Sequence, residues 1–114
     1  MKIVDLATFR TMPSGTVFQK FEPNAFEGLQ ILESADGPDF VATDLCDSLM
    51  AGETWQEIDN KLDDMHENGV SHPVSFDNTS RDGMFEKDQM FAVWSLEDVA
   101  ALMERLGEAM ARQS

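Results

Sequence analysis

Three turn signals fall within the first 40 residues: Pro13-Ser14-Gly15, Pro23-Asn24 and Asp36-Gly37-Pro38. Proline removes a backbone donor and glycine loosens the chain, so no long helix or long strand can run through these points. The stretches left between them are short and rich in Val, Phe, Ile and Thr. Thr16–Phe21, Gly28–Glu33 and Phe40–Leu45 are therefore predicted as strands, and their short connections as an antiparallel meander. Ahead of them, residues 5–12 are predicted as a short helix. Asp5 caps it, and Leu6, Phe9 and Met12 recur at helical spacing.

The second half carries clearer helix signals. Thr54 and Glu57 form a capping box for a helix over 54–67, with Trp55, Ile58, Leu62 and Met65 on one face and Gly69 as its C-terminal stop. Ser95 and Asp98 open a last helix running to about Arg112, striped by Val99, Leu102, Met103, Leu106 and Met110. Two further strands are predicted near Pro73–Asp77 and Gln89–Trp94, with a polar loop from Asn78 to Asp88 between them. The element order is αβββαββα. That order gives an α+β fold: an antiparallel sheet of about five strands packed with two main helices, in two layers around one core. Its length, 114 residues, fits a single domain spanning 1–114, and eight Phe and two Trp supply the core that an acidic disordered chain lacks. Phe85, Phe91, Trp94 and the eight Met are read as core filling.

Charge excludes whole classes of partner. Against 22 Asp and Glu stand 8 Lys and Arg, a net −14. Such a polyanion is repelled by nucleic-acid phosphates and by anionic lipid surfaces, so direct nucleic-acid and membrane binding are not expected. No apolar run approaches the length of about 18 residues that reads as a spanning helix, and the N-terminus has no signal-peptide pattern. Cytoplasmic location is expected. Cys46 is the only cysteine; acidic neighbours Asp44 and Asp47 disfavour its thiolate, so it is read as a small buried hydrophobe.

Catalytic and metal patterns fail on spacing. His66 and His72 are six apart and separated by Gly69, whereas a zinc helix needs His at i and i+4. The loop Asp77-Asn78-Thr79-Ser80-Arg81-Asp82-Gly83 places Arg81 where an EF-hand needs an oxygen ligand, and Asp82 where it needs glycine. Arg81 is expected instead to pin this loop by pairing with Asp77 or Asp88. Close carboxylate pairs follow from composition alone, and no phosphate loop, nucleophile elbow or Cys/His pattern is present. The sequence reads as non-enzymatic, with no cofactor and no metal.

The acids are unevenly placed. Between Glu33 and Glu67 lie eleven of them against a single base, Lys61, a net −10 of the total −14. On the predicted 54–67 helix, Asp59, Asp63 and Glu67 recur every four residues, away from its apolar stripe. Like charges at that spacing destabilise a helix by a few tenths of a kcal/mol each, and acids in the last turn oppose the macrodipole. One explanation is a solubilising face. The other is a surface shaped for a basic partner: carboxylates four apart rise about 6 Å along the axis, comparable with neighbouring backbone phosphates.

The run from Phe76 to Trp94, and within it Arg81-Asp82-Gly83-Met84-Phe85-Glu86-Lys87-Asp88-Gln89-Met90-Phe91-Ala92-Val93, resembles small acidic proteins encoded by tailed phages and prophages. So does the opening from Asp5-Leu6 through Pro13-Ser14-Gly15-Thr16 to Phe21-Glu22-Pro23. The two blocks cover about a third of the chain and bring no catalytic residues with them. In kind, the resemblance is to anti-CRISPR and anti-restriction inhibitors, some of which act as nucleic-acid mimics.

The expected partner is accordingly a basic host protein, a nucleic-acid-binding defence complex, whose groove the acidic surface occludes. Asp44, Asp47, Glu53, Glu57, Asp59, Asp63, Asp64 and Glu67 are the candidate partner-binding residues. Two other readings remain beside it: a small structural or adaptor protein, with the chain as monomer or homodimer through an edge strand or the last helix, and an immunity protein against a basic nuclease.

Overall fold

The structure, a computed structural model, describes residues 1–22, 25–35, 37, 39–45, 54–83 and 87–113. The predicted turns at Pro23-Asn24 and at Asp36 and Pro38, and the readings of Cys46 and Phe85, lie outside these residues.

An antiparallel sheet and three helices make the α+β fold. In chain order the elements are β1 (Lys2–Asp5), α1 (Leu6–Phe9), β2 (Val17–Glu22), β3 (Ala25–Phe26), β4 (Gln30–Ser34), β5 (Phe40–Asp44), α2 (Trp55–Glu67), β6 (Asn78–Asp82), β7 (Met90–Val93) and α3 (Leu96–Gln113). Among the described residues the sheet has seven strands rather than about five, ordered β1-β7-β2-β4-β5-β6, with the two-residue β3 on β2. The meander β2-β4-β5 stands where the turn signals placed it. β7 then crosses to the far side and inserts between β1 and β2.

Two strand assignments are corrected. β1 was hidden because its four residues bury only Val4, too little for a period to show. β6 falls on Asn78–Asp82, inside the predicted polar loop, while Pro73–Asp77 is not a strand and leaves Val74 and Phe76 exposed. An edge strand needs one ladder of backbone bonds and little apolar content. β6 finds that ladder on β5 in register Phe40↔Asp82 through Asp44↔Asn78, and the Thr43 and Thr79 hydroxyls meet across it at 2.6 Å.

The main core lies between one face of the sheet and α1. Asp5 caps α1, its carboxylate accepting from the Thr8 N–H at 2.9 Å, and the helix drops Phe9 onto the sheet. Phe9 is fully buried among Phe18, Phe40 and Phe91, at ring-centroid distances of 4.7, 5.2 and 4.0 Å. Val4, Leu32, Ala42 and Val93 complete the cluster. So the layer over these phenylalanines is the four-residue α1, where two long helices were expected. α3 has no buried residue at all.

Candidate functional site

Local sequence fixes α2 at both ends. The Glu57 N–H donates to Thr54 Oγ1 at 3.2 Å, and the Thr54 N–H donates to Glu57 Oε2 at 3.3 Å, closing the predicted capping box. At the other end Gly69 takes φ +65°, and the Val70 N–H turns back to the Asp64 carbonyl at 3.0 Å. Asp64 also receives the Asn68 amide and His72 Nε2 on its carboxylate oxygens, each at 3.4 Å, tying the departing chain to the helix.

Between these ends the helix has one buried residue, Ile58, with Met65 and Lys61 half-buried beside it. Asp59, Asp63 and Glu67 all lie exposed on another side. The acidic row read from the sequence is thus a solvent-facing row, rising about 12 Å from first to last carboxylate along the axis. The expected apolar stripe is only half an inward stripe. Trp55 is 72% exposed and Leu62 45%, and both border the acidic row. Sequence periodicity places them on the apolar face of the helix, and spacing identifies such a face without identifying what covers it.

The other candidates divide. Glu57 closes the capping box and Asp64 pins the helix exit, so each has a structural task besides its charge. Asp44 stands on β5, in the cross-strand row Gln30–Asp44–Asn78, and lines a polar groove of about 350 Å³ with Lys20, Ser80 and Asp82. Asp47 and Glu53 lie outside the described residues. Arg81 pairs with neither Asp77 nor Asp88; its partner is Asp39 at 3.8 Å.

Among the described residues, no group of three His, Cys, Asp or Glu side chains converges as a metal-ligand set. None of their helices is long and apolar enough to cross a membrane. Comparison with known proteins finds no family model, no curated protein and no solved structure that matches this chain.

Proposed function

We propose that the protein is a non-enzymatic, cytoplasmic inhibitor of a host defence complex, of phage origin, that sets the outer face of α2 into a basic groove of its target built to hold nucleic acid. The observation that carries this reading is the row Asp59–Asp63–Glu67, exposed together on a helix whose own stability the row lowers. Charge kept against the interest of the helix is charge kept for a partner. Carboxylates at this spacing offer an Arg- or Lys-lined channel the charge-assisted contacts it makes with phosphates. Trp55 and Leu62, exposed beside the row, add the apolar anchors on which a specific interface concentrates its energy. The sequence resemblance to small acidic phage proteins points to the same class of partner.

The test starts with capture of host proteins on the immobilised chain and elution by salt, followed by competition of each eluted partner against duplex DNA. Wild-type protein should displace the DNA, with potency falling steeply as salt rises. The triple variant Asp59→Lys/Asp63→Lys/Glu67→Lys should lose that competition while keeping its fold. Full potency in the triple variant would overturn the reading.

A further inference from the structure

The last helix carries a second surface of opposite character. Along α3, Leu96, Val99, Met103, Leu106 and Met110 recur in alternating steps of three and four, the 3.5-residue period of a coiled-coil seam. This seam faces solvent: Leu96 is 88% exposed, Met103 68%, Leu106 60% and Met110 70%. Flanking it are Ala100, Gly107 and Ala109, small residues that permit close helix approach, and Leu102. All six charged side chains of α3 lie on the remaining side, and their net charge is only −2 within a chain of −14. Half of this helix surface is therefore free of charge in a strongly acidic molecule.

We infer that this seam is a self-association surface, and that two copies of the chain pair through α3 in antiparallel fashion. The helix macrodipoles select this alignment: antiparallel copies set the positive N-terminal end of each α3 beside the negative C-terminal end of the other, whereas a parallel pair would set like ends together. The antiparallel register that opposes Met103 to Leu106 also opposes Val99 to Met110 and Leu96 to Gln113. Small flanking residues then meet across the seam, with Ala100 near Gly107 of the other copy. Helices of 18 residues in contact over about 27 Å bury on the order of 1,000 Å² in total, the size of a weak, transient contact. The dimer is thus a reversible one.

Sedimentation equilibrium across micromolar to near-millimolar concentration tests this directly. The mass should climb from 12.8 kDa towards twice that value, and rising salt should not weaken the association, because it screens the mutual repulsion of two acidic chains. Met103→Glu should weaken the dimer by ~tenfold or more, and Leu106→Gln should do the same if the first variant loses helix by circular dichroism. Glu108→Gln, on the charged side, should dimerise as wild type. In a Cys46→Ser background, Leu96→Cys/Gln113→Cys should cross-link two copies under mild oxidation, whereas Leu96→Cys alone, which only a parallel pair would join, should not. A constant 12.8 kDa throughout, or a Met103→Glu variant that folds and dimerises normally, would overturn the inference; a dimer that fails to cross-link would overturn its antiparallel alignment.

Discussion

Lys20 on β2 and Asp82 on β6 form an ion pair although their strands stand three positions apart in the sheet. In a flat sheet that separation is about 14 Å, at roughly 4.8 Å per strand, too far for a Lys and an Asp side chain to span. The sheet is therefore curled towards the face that carries Phe18 and Phe91, and the pair closes the polar margin of its concavity. Both side chains are mostly buried, at 17% and 19% exposure. Lys20→Met should destabilise by about 1–3 kcal/mol, since it leaves a poorly solvated carboxylate with a partner removed. The double variant Lys20→Met/Asp82→Leu should recover part of that loss. Urea unfolding of the four proteins in the cycle gives the coupling, and a coupling of zero would mean that the pair does not hold the curl.

Phe9 fills the same concavity from α1. Its ring lies parallel to that of Phe91, at 4.0 Å between centroids and 4° between planes, and edge-on to Phe40. Because α1 has only four residues, Phe9 is its main hold on the sheet. Phe9→Ala should cost about 3–5 kcal/mol, a large share of a typical domain stability, whereas Phe26→Ala on the exposed β3 should cost far less. Chemical denaturation of the two variants side by side distinguishes them. Equal losses would remove α1 from the centre of the core.

Asp98 links α3 to the start of the chain. Its carboxylate accepts from the N-terminal ammonium at 2.5 Å and from the Ser95 N–H at 3.0 Å, while the Asp98 N–H donates to Ser95 Oγ at 3.1 Å and closes the cap. These contacts, the ammonium first, pull its pKa down to about 2. A carboxyl depressed on folding contributes stability that is complete above its unfolded value near 3.9 and is lost as pH falls through the folded one. Amide protection in the first turn of α3, taken as exchange relative to the intrinsic rate at each pH, should therefore fall between about pH 4 and pH 2. Asp98→Asn should remove that step and leave faster exchange at neutral pH. An unchanged profile in the variant would assign the step to another group.

What the sequence disclosed followed from how local each cause is. The ends of α2 and α3 are set by Thr54 with Glu57, by Gly69, and by Ser95 with Asp98, residues within a turn of the structure they make, and these were legible. β6 was not. Thr79 alone in Asn78-Thr79-Ser80-Arg81-Asp82 favours a strand; the free edge of β5 imposes it, and that edge exists only once the chain has folded. Coverage of a face is likewise a tertiary fact. Trp55 and Leu106 sit on stripes that look like core stripes, and only the assembled sheet, already served by Phe9, leaves them outside. The acidic row was legible as a row, and Asp44, a candidate on the predicted strand Phe40–Leu45, stands on β5, away from the row.

The acidic row also makes a prediction that sets stability against binding. Asp63 lies four residues after Asp59 and four before Glu67, so Asp63→Lys converts two like-charge pairs into two attractive ones. Lysine in the second half of the helix is also favoured by the macrodipole. The variant should be more stable than wild type by about 0.5–1 kcal/mol at low ionic strength, with the gain fading as salt is added. If the row exists for a basic partner, the same substitution should weaken partner binding by ~tenfold, because it puts a repulsive charge at the centre of the contact. Thermal unfolding and partner competition, measured on the one variant, separate the explanations. A stabilised protein with unchanged binding means that the row serves solubility, whereas a stabilised protein that no longer binds means that the helix carries its unfavourable charge for the sake of its partner.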